Sequence, residues 1–166
     1  MVALARWNAV PRDEAVRELL PCCASTVWAS RVAGGRPYPD VGAVVVAGAA
    51  AVADLPWTEV GQALAAHPRI GERPAGDHRE AGWSRREQAG AAGAAEPTAA
   101  ALAAANSAYE QRFGHVFLIF ATGRTAEQML AEARSRLGND EATERRVVRD
   151  ELSKITRLRL ERLFAE

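Results

Sequence analysis

The run His67-Pro68-Arg69-Ile70-Gly71-Glu72 places an imidazole where a helical pattern has to stop. The segment from Trp57 to Ala66 is rich in helix formers, and the residue before a proline is sterically pushed out of the helical region, so a helix is expected to end near His67. Unsatisfied carbonyls and the negative end of the macrodipole at such a terminus favour the protonated ring, which can then attract an anion or donate a proton near neutral pH. On these residues alone, His67 reads equally well as a cap of its own helix. A second group is Ser84, Glu87 and Gln88, whose three- and four-residue spacing puts a hydroxyl, a carboxylate and an amide on one helical face. Ser-x-x-Glu is also a capping box opening a helix near Ser84, a reading that leaves Gln88 unaccounted for. The third is Arg159. At about 100° per residue, Val148, Leu152, Ile155 and Leu163 share one narrow face with Arg159 in its middle, whereas Arg149 and Arg157 point elsewhere. A guanidinium in a core-facing stripe needs an anion: either a carboxylate of the chain such as Glu87 or that of a ligand held with bidentate geometry. Snorkelling to the surface is the remaining reading.

His67, His78 and His115 lie at none of the spacings that build a local zinc site, so no metal is expected. His115, beside Gly114 at the mouth of an apolar run, reads as a partly buried, satisfied ring, and His78 as a solvated loop residue.

Several elements must position these groups. Helices are expected over Arg12–Leu20, with Pro11 at a first position and Asp13 and Glu14 near the positive dipole end, and over Ser25–Ala33, with a loop at Gly34–Pro39. The run Val41–Ala53 is apolar almost all round and fits a buried helix by its length and alanine content. Pro56 opens the helix that stops at His67, and Glu72–Gly82 is a polar surface loop. Further helices are expected from Ser84 and over Pro97–Arg112. The glycine-bounded run His115–Thr122 has the composition of a strand or a buried extended segment. Thr125 and Gln128 form a capping box for a helix over Ala126–Leu137, Gly138 suits a left-handed position beyond it, and Asn139 or Asp140 caps a last helix.

The chain has 166 residues, enough for one ordinary domain, residues 1–166. The expected class is all-α: a single-domain helical bundle of about seven to nine helices with one short extended segment. Lysine plus arginine and aspartate plus glutamate are balanced at 21 each, which provides no basic field for nucleic acid or an anionic membrane. Arg6, Arg12, Asp13 and Glu14 interrupt every apolar run near the N-terminus, so the expected location is the cytoplasm. The adjacent Cys22 and Cys23 lack the spaced partners of a disulfide or zinc framework and read as small buried apolar residues.

Together, His67-Pro68-Arg69-Ile70-Gly71, Ser84-x-x-Glu87-Gln88 with Gly90, Asn106-x-x-Tyr109 leading into Phe113-Gly114-His115-Val116-Phe117, and Lys154-Ile155-x-x-Leu158-Arg159-Leu160 resemble the OHCU decarboxylase family, collinearly over nearly the whole chain. These are the 2-oxo-4-hydroxy-4-carboxy-5-ureidoimidazoline decarboxylases of urate breakdown. The resemblance implies an all-α homodimer that forms (S)-allantoin with no metal or organic cofactor. It makes His67 the catalytic acid/base and Glu87 its partner, with Arg159 a carboxylate or ring contact and Pro68, Ser84 and Gln88 lining the pocket. The stretch from Phe117 through Ile119 to Ala121 resembles the family's segment that offers backbone groups to the substrate. A cysteine or another small residue is the commoner choice where Phe120 stands, which bears on the pocket wall. Two other readings compete: a metal-dependent amidohydrolase acting on a ureide through His67, His78 and His115, and a non-enzymatic helical interaction module in which Arg159 and Glu87 are only a buried ion pair.

Overall fold

Side chains that accept the orphan N–H groups of a first turn set several of the helix starts. The Ser25 hydroxyl accepts from Trp28 N at 3.1 Å, Asp40 from Ala43 N at 2.8 Å, and Asp140 from Thr143 N at 2.7 Å. Thr125 and Gln128 close the expected reciprocal box at 3.1 and 2.9 Å. The computed structural model describes residues 3–165. Among these are nine helices and no strand: α1 (Leu4–Ala9), α2 (Arg12–Leu19), α3 (Thr26–Gly34), α4 (Val41–Ala53), α5 (Trp57–Ala65), α6 (Arg79–Glu87), α7 (Glu96–Phe113), α8 (Ala126–Arg136) and α9 (Glu141–Ala165). No single helix among the described residues is long and apolar enough to cross a membrane.

The all-α expectation holds, with four local corrections. Helix α1 has no counterpart in the sequence reading, and Pro11 is the N-cap of α2 rather than its first residue. Helix α6 starts at Arg79, five residues before Ser84. The expected polar loop over Glu72–Gly82 therefore gives way to helix from Arg79, where burial of Ala81, Trp83, Ser84 and Glu87 outweighs the roughly 1 kcal/mol that a helical glycine costs. Gly138 does not adopt a left-handed conformation; Gly114 does, at φ 76°, where its N–H bonds Glu110 O at 2.8 Å and ends α7. The run after Gly114 forms no strand and continues as non-helical backbone from Val116 to Ala121.

The chain divides into two compact units, one of residues up to Ala63 together with those from Leu152 on, the other Leu64–Glu151. In the first, Trp7, Trp28, Val44, Val52 and the Leu152, Leu160 and Leu163 face of α9 are buried. Trp28 Nε1 donates to Gly48 O at 2.9 Å, so the indole's one polar atom is satisfied inside that core. In the second, α7 and α8 clasp the non-helical run: Leu102, Tyr109, Met129 and Ala133 pack with Phe117, Ile119 and Ala121. Side chains 117, 119 and 121 thus enter one cluster at a two-residue period, the mark of extended backbone.

Candidate active site

Helix α5 ends at Ala65, and the His67 N–H closes its last turn on Leu64 O at 2.9 Å. The turn that follows is tied down residue by residue. The Gln88 side chain donates through Nε2 to Pro68 O at 3.5 Å and accepts from Gly71 N through Oε1 at 3.2 Å. Asn106 Nδ2 donates to Ile70 O at 2.8 Å. Arg69 grips Glu110 at 2.6 and 3.0 Å and Glu72 at 3.2 Å. That hydrogen bond from Arg69 holds the Glu110 carboxyl below its usual range. The ion pair is exposed and contributes little energy, but the combined ties restrict the turn that presents the imidazole.

Beside this turn lies a cleft of ≈270 Å³ lined by His67, Pro68, Pro74, His78, Ala81 and Ser84, among others. Three of the sequence-predicted residues, His67, Pro68 and Ser84, therefore share one cavity. Ser84 is the sixth residue of α6 and its carbonyl accepts the Gln88 N–H at 3.0 Å, so the capping-box reading is overturned; the N-cap is His78. Glu87, one turn beyond Ser84, is only 6% exposed. Gln88, the residue that a cap would have left unexplained, belongs to the turn's hydrogen bonding and lines a neighbouring cleft with Gly71, Glu72, Pro74 and Arg85.

Phe117, Ile119 and Ala121 are buried. Their segment is fixed through its even-numbered residues: Arg136 Nη1 donates to Leu118 O at 2.7 Å and the Phe120 N–H donates to Glu151 at 2.6 Å. Arg136 is itself clamped by Glu144 at 2.8 and 2.5 Å and lies over the Phe117 ring, 4.7 Å from its centroid. Burial, together with the Glu144 carboxylate that accepts its hydroxyl hydrogen bond at 2.5 Å, pushes the Tyr109 phenol well above its ordinary range, so it stays a neutral donor.

Arg159 is buried at 5% exposure in the apolar face of α9, as its position in the stripe requires, and donates to Pro21 O at 3.2 Å. Arg157 is exposed and Arg149 half-buried. Cys22 and Cys23 are buried thiols; burial pushes Cys23 up to about 12. The His115 ring is half-buried, with Nδ1 3.0 Å from Val116 O and an edge contact to Tyr109, a structural setting. His78 lies at a helix start. Among the described residues no group of three or more His, Cys, Asp or Glu side chains is placed to hold a metal ion, so the ligand set of the amidohydrolase reading is not assembled.

The sequence reading passed over Arg136, Glu144 and Glu151. The test that found Arg159 would have found them. Ala126, Met129, Ala133 and Arg136 repeat at helical spacing on α8, and Glu144, Val148, Glu151, Leu152 and Ile155 do so on α9.

The described residues thus form an all-helical fold with a cleft lined by His67, Pro68 and Ser84, and the buried Glu87 lies one turn beyond Ser84 on α6. Residues 8–161 match the OHCU decarboxylase family, and the chain belongs to that family. It is 30% identical over 148 residues to the 2-oxo-4-hydroxy-4-carboxy-5-ureidoimidazoline decarboxylase of Amia calva, covering 88% of this chain and 82% of that protein. It is also 30% identical over 149 residues to the uric acid degradation bifunctional protein TTL of Arabidopsis thaliana; the match takes in 87% of this chain but 46% of that longer relative. Among solved structures, an OHCU decarboxylase crystallised in the presence of (S)-allantoin superposes with a TM-score of 0.78 at 27% identity, covering 90% of this chain and 98% of that one. An (S)-allantoin synthase shares the fold at a TM-score of 0.74 and 17% identity, covering 98% of this chain and 54% of that one.

Proposed function

We propose that this chain decarboxylates 2-oxo-4-hydroxy-4-carboxy-5-ureidoimidazoline to (S)-allantoin in urate breakdown, without metal or organic cofactor. The observation that carries the reading is the cleft that joins His67, Pro68 and Ser84 in a member of the OHCU decarboxylase family. The chemistry balances within the substrate. As the carbon–carboxylate bond breaks, its electron pair forms a new double bond to the adjacent ring carbon, and the pair of the carbon–nitrogen double bond moves onto nitrogen, which takes up a proton. The neighbouring hydroxyl then gives up its proton to become a carbonyl, a proton is delivered to the next ring carbon, and carbon dioxide is the only group lost. What remains for the protein is to position the ring and move three protons: onto the nitrogen, off the hydroxyl and onto the carbon.

His67 is the acid/base for the hydroxyl proton, and Glu87 is its partner at the reacting centre. Ser84 and Gln88 offer a hydroxyl and an amide to the ring, and Pro68 shapes the wall. Backbone groups of the Phe117, Ile119 and Ala121 stretch hold the ring's polar edge. Delivery of the proton to one ring face sets the handedness of the product. The working form is a cytoplasmic homodimer, a state that light scattering on the eluted protein would report.

Replacing His67 with Asn keeps a polar side chain of similar size but removes the titrating nitrogen, and should cost on the order of a hundred- to ten-thousand-fold in turnover. Near-native turnover by H67N, with freshly oxidised urate as the source of substrate, would remove His67 from the reaction.

A further inference from the structure

Glu151 occupies a position where the helical stripe asks for a hydrocarbon. Its neighbours Val148, Leu152 and Ile155 are buried, Glu151 is itself 6% exposed, and a carboxylate there is costly unless donors converge on it. One that does is the Phe120 N–H, at 2.6 Å, a charge-assisted bond of the strong kind. Two residues earlier the Leu118 carbonyl is taken by Arg136 at 2.7 Å. Glu144, which clamps Arg136, lies seven residues before Glu151 and hence on the same face of α9.

In extended backbone the N–H and C=O of alternate residues turn to the same side. Holding residues 118 and 120 from the Arg136 and Glu151 side therefore turns the backbone groups of residues 117, 119 and 121 the other way, while their side chains stay anchored in the α7–α8 cluster. We propose that Glu151 and Arg136 are positioning residues. They fix the segment 117–121 through its even-numbered backbone groups, so that the odd-numbered ones face the substrate at a set angle. This rests on the function proposed above, in which those groups hold the ring.

The assignment accounts for two buried charges that no step of the proposed chemistry uses. It also separates two roles on neighbouring residues of one segment: Phe120 is held by the protein, and Ile119 holds the ligand.

Glu151→Ala removes the acceptor, Glu151→Asp draws the carboxylate back by one methylene, and Glu151→Gln keeps an oxygen at the same reach. Three readouts separate positioning from general destabilisation: hydrogen exchange at the Phe120 amide, dissociation of (S)-allantoin followed calorimetrically, and the split between KM and kcat. The expected result is loss of Phe120 amide protection and a tenfold or greater rise in both KM and the (S)-allantoin dissociation constant in E151A. E151D should rise at least threefold, and E151Q should stay within threefold of wild type. Uniform loss of ground-state and transition-state binding raises KM with little change in kcat, whereas a fall in folded fraction lowers kcat with KM unmoved. If E151A fails to fold, E151D carries the same test. Lost amide protection with unchanged KM and dissociation constant would overturn the proposal, as would E151Q behaving like E151A. A wild-type protein that neither binds allantoin nor accelerates its formation would overturn the functional reading instead.

Discussion

Removing Glu144 should destabilise this protein more than removing any surface carboxylate, by an amount the structure bounds. Four contacts converge on that carboxylate: Arg136 Nε at 2.8 Å, Arg136 Nη2 at 2.5 Å, Tyr109 Oη at 2.5 Å and Asn139 Nδ2 at 2.9 Å. Arg136 is 2% exposed and Glu144 1%, so in Glu144→Ala a guanidinium is left in the core without its anion. Breaking a buried pair from one side costs about 3–5 kcal/mol. Arg136 keeps the Leu118 carbonyl and the faces of Phe117 and Tyr109, which places E144A near the lower end, about 3 kcal/mol. For a chain of this length that is a fall of roughly 6–12 °C in thermal midpoint. The assay is urea unfolding followed by far-ultraviolet circular dichroism, at low and high salt. A buried pair is hardly screened, so the loss should be the same at both ionic strengths. The double variant Arg136→Met with Glu144→Leu removes both charges and should recover part of the loss. A cost below about 1 kcal/mol, or one that vanishes in salt, would mean the pair behaves as an exposed one and would refute the reasoning.

Two further predictions concern backbone and thiol. A Cβ on Gly90 would lie 1.8 Å from the Arg124 carbonyl oxygen, a backbone atom that cannot swing aside, so Gly90→Ala should cost about 3 kcal/mol or more, at or beyond the upper end for overpacking. A thermal midpoint indistinguishable from wild type would contradict that contact. Cys23 is raised by burial from 9.0 to about 12, so the folded state favours the thiol; its contribution to stability is full below pH 9.0 and lost as pH rises from there toward about 12. Iodoacetamide at pH 8 should therefore label Cys23 only after unfolding, and Cys23→Ala should lose less stability than wild type over the alkaline window. Rapid labelling of the folded protein would show the thiol to be accessible.

The parts of the fold that could be read in the sequence are those whose signals are local. Ser25, Thr125 with Gln128, and Asp140 each cap within three residues of themselves, and Pro68 stops a helix by sterics alone. The site's imidazole was legible for the same reason. Helix α6 was misplaced because its first turn has a glycine and no capping side chain, and only burial of Trp83 and Glu87 reveals it. Arg159 stands out as one charge in an apolar stripe, and Arg136, Glu144 and Glu151 interrupt their own stripes in the same way; what no local pattern carries is the identity of their partners, 8 to 35 residues away in the chain. The hydrogen bonds from Gln88 and Asn106 onto the turn after His67 span 17 to 36 residues and carry no local pattern either.

The most direct test of the central claim is the handedness of the product. Urate should be oxidised freshly in the presence of the pure protein, and the optical activity of the allantoin followed by circular dichroism. Spontaneous decay yields a racemate, so the signal belongs to the protein alone. Rapid appearance of the (S) enantiomer is the predicted result, abolished in H67N. A racemic product formed no faster than in buffer would contradict the account.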